Sequence, residues 1–171
     1  KYFKTEANFN KMEINTKINP SLDSLNAYHE LYPWIPNEFQ IRPTEMIITF
    51  KNILMDKINK EYNSTRDYIL MNMFNTEGFR SNGKLVSKEP IDKLNKFEVC
   101  RFRYQIDSSA FHYIMWYTCN PEFLTQEEIT KDIKNSIYNI VNSDNYSFVW
   151  YENPKMTIHD IYHVQVFWIK N

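Results

Sequence analysis

His163 and Gln165 stand two residues apart in a stretch, His163 to Ile169, that alternates like a β-strand, so both side chains project from one face of a sheet. A histidine that attacks an α-phosphate must be neutral, with a free lone pair, and held in one tautomer by a hydrogen bond at its other ring nitrogen. His163 is the candidate catalytic ring. Such a transition state also needs donors aimed at its oxygens, and Gln165, Asn153 and the pair Arg101 and Arg103 are the candidate donors. His112 opens another aromatic strand, where it can reach a pocket or a neighbouring loop carbonyl. Against all of this stands a simpler expectation, that an aromatic-flanked strand histidine is a core residue with satisfied hydrogen bonds.

Other chemistry-bearing groups have plainer explanations. His159, Asp160 and His163 are ordinary metal ligands by type, but they straddle a loop and a strand start, and spacing fixes no third partner, so no metal and no cofactor is expected. Trp116, Trp150, Tyr151 and Trp168 could stack a base or a sugar, although aromatics spread over three strands more often form the core. Tyr32, Trp34 and Phe39, bracketed by prolines, are either an exposed recognition patch or a loop pinned to the body by its rings. Glu127 and Glu128 belong to a capping box, and Lys51, Lys57 and Lys60 read as the solvated face of a helix.

Composition removes whole classes of function. Gly78 and Gly83 are the only glycines, whereas phosphate-cradling loops need several so that the backbone can approach the phosphates. The glycine count therefore argues against a P-loop or Rossmann enzyme. Twenty basic and twenty-one acidic residues leave a formal charge of −1, so no global field draws in nucleic acid or an anionic membrane. Cys100 and Cys119 lie in no CxxC or zinc spacing, which points to a reducing, intracellular and cytoplasmic setting, with a virion or organelle as the other location to consider. No run of about 18 apolar residues marks a membrane helix, and no secretory leader opens the chain. The chain starts at Lys1 rather than Met, as a trimmed or processed product would. Abundant Asn, Lys, Ile, Tyr and Phe beside scarce Gly suggest an AT-rich genome.

The elements that must position these residues can be read in order. Residues 1–19 form an extended N-terminal arm, and residues 20–171 form one domain, long enough at 43% hydrophobic content to bury a core unaided. Asn19-Pro20-Ser21 opens a short helix that Pro33 to Pro36 closes. Pro43 suits a first helical turn, and Ile47, Phe50, Leu54 and Ile58 make one buried stripe. Ser64 and Asp67 cap a further helix to about Asn75. Gly78 to Pro90, polar and holding both glycines, reads as a flexible loop. Phe97 to Gln105 is strand-like, with Arg101 and Arg103 on one face, and His112 to Thr118 is a second strand. Thr125 to Glu128 is a full capping box ahead of Ile129, Ile133, Ile137 and Val141. Tyr146 to Tyr151 and His163 to Ile169 are the last strands. The order predicts an α+β fold. Its antiparallel sheet of about four strands lies in the C-terminal half, with one face covered by N-terminal helices and by the capped helix between strands two and three.

The succession Arg103-Tyr104-Gln105-Ile106-Asp107, His112-Tyr113-Ile114-Met115-Trp116, Leu124-Thr125, Phe148-Val149-Trp150-Tyr151-Glu152-Asn153 and Tyr162-His163-Val164 resembles the fungal family of N-acetylglucosamine-induced proteins, a domain of unknown function. Lys57 to Ser64, with Tyr68-Ile69, extends the likeness to residues 43–167. The resemblance implies a fold and no established activity. Where that family tends to carry a His-aromatic-His pair, this chain has Ile161-Tyr162-His163, and the loop from Thr157 is about two residues shorter. The layout of strand, capped helix, strand and final His-Val-Gln is also similar to histidine-triad nucleotide hydrolases and transferases. That likeness implies His163 at the nucleophile position and Gln165 at the phosphate contact, with the preceding histidine replaced by Ile161.

Two functions are expected from this reading. The leading one is a non-enzymatic structural or protein-interaction module, such as a virion, organelle or ribonucleoprotein component, with a protein assembly partner. The other is histidine-triad-like binding or hydrolysis of a nucleotide or sugar phosphate, a phosphate-bearing small molecule being the partner, in a pocket between the strands that bear His112, Asn153 and His163.

Overall fold

The structure, a computed structural model, describes residues 12–37 and 44–171. In chain order the elements are β1 (Thr16–Lys17), α1 (Leu22–Leu31), α2 (Glu45–Glu61), α3 (Thr65–Met73), β2 (Gly78–Ser81), β3 (Lys84–Ser87), β4 (Asn95–Val99), β5 (Phe111–Tyr117), α4 (Gln126–Val141), β6 (Tyr146–Tyr151) and β7 (Tyr162–Lys170). The fold is α+β, as the element order predicts. Its main sheet runs β1-β6-β7-β5-β4, antiparallel throughout except for β1, which adds to β6 in parallel. The fifth strand comes from the end of the N-terminal arm, where Thr16 and Lys17 pair with Val149 and Trp150 and Ile18 is buried.

Period-two alternation along the central strands sorts side chains onto two faces. On one face Met115, Tyr117, Phe148, Trp150, Val166 and Trp168 meet Ile129, Ile133 and Ile137 of α4. The capping box that starts this helix is complete: Thr125 Oγ1 accepts from the Glu128 amide and the Glu128 carboxylate accepts from the Thr125 amide. On the opposite face Val149, Tyr151 and Phe167 pack against Leu25 and Tyr28 of α1. Beside them Trp116 packs against Ile69 and Leu70 of α3. Helices therefore cover both faces, where the sequence predicts one. The reason is that β6 and most of β7 are buried on both sides, a run of apolar residues rather than an alternation of apolar and polar ones. Trp34 is buried with Leu25, Tyr28 and Ile35 and Tyr32 packs beside them, so this pair pins its loop to the body. Phe39 and Pro43 lie outside the described residues.

Two local expectations are corrected. Gly78 to Pro90 contains the hairpin β2–β3, whose turn residues Asn82 and Gly83 take φ of 50° and 79°, the mirror-image turn that matches strand twist. The hairpin is anchored by the buried Asp67 carboxylate, which accepts from the Ser87 amide at 2.7 Å. The strand predicted over Phe97 to Gln105 stops at Val99, and a turn at Arg101 and Phe102 follows. Cys100 still donates its amide to the His112 carbonyl. Arg101 and Arg103 consequently do not share a strand face.

Candidate functional site

The sheet face that carries Trp116, His163 and Gln165 is only partly covered by α3. Between it, α2 and the segments around residues 99–104 and 153–158 lies a cleft of about 150 Å³. Its floor is built by pairing: Trp116 lies opposite His163 and Ile114 opposite Gln165 across β5 and β7, so parity alone sends all four to the same side. Apolar walls come from Leu54, Met55 and Ile58 of α2 and from Ile69 and Met73 of α3.

His112, Asn153, His163, Gln165 and Arg101 all line this cleft. Arg103 does not; it is exposed on the segment after the turn. Asn153 sits at one wall, its Nδ2 donating to the Tyr104 hydroxyl at 3.4 Å and its Oδ1 accepting from the Lys155 amide.

The two histidines have different states, and backbone groups set both. The Tyr104 amide donates to His112 Nδ1 at 3.2 Å, so that nitrogen holds a lone pair and the proton sits on Nε2. Nε2–H then donates to Gln165 Oε1 at 2.5 Å. Both ring nitrogens of His112 are thus occupied, and the ring stacks on Phe167 with centroids 4.4 Å apart. Burial depresses its pKa to about 4 against the opposing hydrogen bond from Gln165, so the ring is neutral at physiological pH. His112 is a satisfied core histidine with one edge toward the cleft.

His163 is arranged otherwise. Its Nδ1 faces the Ile161 carbonyl at 3.0 Å. A carbonyl only accepts, so Nδ1 carries the proton and Nε2 keeps its lone pair. Burial pushes the pKa of the ring down, which keeps it neutral. The ring is 5% exposed and lies 4.5 Å from the Trp116 ring. Nε2 makes no hydrogen bond among the described residues, yet it is not sealed as the Tyr151 hydroxyl and the Trp168 indole nitrogen are. The imidazole that sequence reasoning singled out is therefore held at one nitrogen by the main chain and open to the cleft at the other.

No family model matches the chain, and no curated protein matches it. The crystal structure of HTC1 is similar, with a TM-score of 0.44 and 9% identity over 87% of this chain and 84% of that one. A likeness that distant carries no argument about the site.

Several lining groups were not legible as site residues. Lys51, which sequence pattern assigns to a solvated helix face, lines the cleft half-buried, with Nζ 5.8 Å from the Phe102 ring centroid. Arg101, a candidate donor already in the sequence, reaches Tyr68, donating from Nη1 to its hydroxyl at 3.3 Å. Tyr104 lines the wall with its phenol pKa pushed up to about 12, chiefly by burial. No Asp or Glu is among the lining residues, and neither Lys51 nor Arg101 forms an ion pair among the described residues. Other surface cations are matched, as in Arg66 with Glu89 and Lys93 with Glu128. His159 is exposed, and no three His, Cys, Asp or Glu side chains among the described residues are grouped to hold a metal ion. Among the described residues no helix is long and apolar enough to cross a membrane.

Proposed function

We propose that this chain is a binding domain whose cleft takes a small molecule made of one apolar ring and an anionic group. The observation that supports this is the charge pattern: among the described residues, two cations without carboxylate partners stand at a cleft that no acidic side chain lines, with the rings of Trp116 and His163 in its floor and apolar walls from the helices. An apolar ring gains from burial on that floor, and Lys51 and Arg101 supply the attraction for the anion. The cleft volume of about 150 Å³ suits a single ring, since a cavity of roughly this size holds benzene. The resemblance to the fungal N-acetylglucosamine-induced proteins belongs to the same proposal, because Tyr104, His112, Trp116, Asn153 and His163 from its motifs all border the cleft.

Titration with benzoate and phenyl phosphate, followed by tryptophan fluorescence because Trp116 lines the cleft, tests the reading. Saturable binding that weakens about tenfold in the double variant Lys51→Gln, Arg101→Gln is the expected result. Equal affinity in wild type and variant, or no saturable binding of either anion, would overturn it.

A second reading, histidine-dependent transfer at a nucleotide α-phosphate, draws support from one feature, the Nδ1–H tautomer of His163 with a free Nε2. It predicts that Nε2 attacks the α-phosphorus of a nucleoside triphosphate, the P–N bond forming as the bond to the α,β-bridging oxygen breaks and pyrophosphate leaves. The phosphoramidate on His163 is detected as acid-labile label retained from an α-labelled nucleoside triphosphate and lost in His163→Ala. Absence of label in the folded wild-type protein refutes it.

A further inference from the structure

The floor of the cleft presents one hydrogen-bond acceptor and one donor, and the backbone decides which is which. The Tyr104 amide forces His112 to carry its proton on Nε2, and that proton occupies Gln165 Oε1. The Gln165 side chain is thereby locked in one amide orientation, with its carbonyl oxygen consumed and its NH₂ group turned away from His112. That NH₂ group makes no hydrogen bond among the described residues and is not a sealed orphan. Two residues earlier, on the same face of β7, the Ile161 carbonyl fixes the proton of His163 on Nδ1, which leaves Nε2 as a pure acceptor. As residues, His163 and Gln165 are 5% and 6% exposed, and both line the cleft, where water is the partner of these groups until a ligand displaces it. A ligand that displaces this water but covers the donor or the acceptor without replacing its hydrogen bond incurs a cost. A ligand that supplies both is correspondingly favoured over one that supplies neither.

Resting on the binding function above, we infer that the ring taken by this cleft is a single-ring lactam of the pyrimidine-dione type, whose N–H donates to His163 Nε2 and whose C=O accepts from the Gln165 amide. A flat ring suits a floor faced by the aromatic groups of Trp116 and Tyr104. The volume of about 150 Å³ suits one six-membered ring. Lys51 and Arg101, which line the same cleft, are the cations available to an anionic substituent on the ring.

Three probes separate this inference from the function it rests on. Orotate carries ring, lactam and carboxylate; 1,3-dimethylorotate keeps the ring, the carbonyls and the carboxylate but has no N–H; benzoate keeps only the ring and carboxylate. The expected order by calorimetric titration is orotate tighter than either of the others by about tenfold or more, the ratio that one well-formed buried hydrogen bond yields. His163→Phe, which keeps a ring at the position, should remove the advantage of orotate over its dimethylated form. Benzoate binding with orotate no tighter than its dimethylated form would overturn the lactam assignment and leave the anion-binding function standing. Failure of all three probes on the folded protein would overturn both. The comparison of orotate with its dimethylated form uses wild-type protein alone, so it does not depend on any variant folding.

Discussion

Lowering the pH should destabilise this protein through His112. The ring is buried, its two nitrogens are held by the Tyr104 amide and the Gln165 carbonyl, and its pKa falls to about 4 from an ordinary 6.5. Above pH 6.5 the ring is neutral in both folded and unfolded chains, and the stability is intact. As pH falls below 6.5 the unfolded chain takes up a proton that the folded chain refuses until about 4, so stability is lost across that window. The whole gap corresponds to about 3 kcal/mol, of which about 2 kcal/mol is gone by pH 5. His163, also depressed by burial, adds a loss of the same sign. Urea unfolding at pH 7.5, 5 and 4.5, compared between wild type and His112→Gln, isolates the His112 part, because Gln does not titrate. The variant starts less stable but should lose about 2 kcal/mol less on acidification to pH 5. Identical losses in the two proteins would refute the reasoning, as would a ring resonance of His112 that titrates near 6.5 in the folded protein.

Two further outcomes follow from individual contacts. Asp67→Ala leaves the buried Ser87 amide without an acceptor and frees the hairpin from α3, so it should cost about 2 kcal/mol in chemical denaturation and raise hydrogen exchange in residues 78–87 before the rest of the chain. Thr125→Ala removes half of the capping box of α4 and should lower stability by about 1 kcal/mol, with no change in the affinity of the cleft for benzoate, since α4 lies on the other face of the sheet.

The elements that could be read from the chain are those whose signals are local. The capping box at Thr125, the isoleucines four apart behind it, and the aromatic strands Tyr146–Tyr151 and Tyr162–Lys170 each state their conformation within a few residues, because a helix cap and a strand alternation are short-range constraints. The hairpin was hidden for the opposite reason. Its strands are short, β2 is exposed at every position, and only Asn82-Gly83 marks the turn, so no apolar alternation announces it. The end of β4 at Val99 was equally silent, because Cys100, Phe102 and Tyr104 continue the alternation past the point where the backbone turns.

The amino-acid sequence by itself determined the α+β class, the helix and strand order of the C-terminal half, and the placement of His163 and Gln165 on one sheet face, since all three depend on periodicity along a single strand or helix. Only the tertiary structure decided that His112, Asn153 and Arg101 share a cleft with them, that Arg103 does not, and that Lys51 joins from a distant helix. It alone decided the proton positions of the two histidines, because these are set by a carbonyl and an amide belonging to other stretches of backbone. A side chain carries its chemistry in its type, but its protonation state and its partners come from what the fold brings against it.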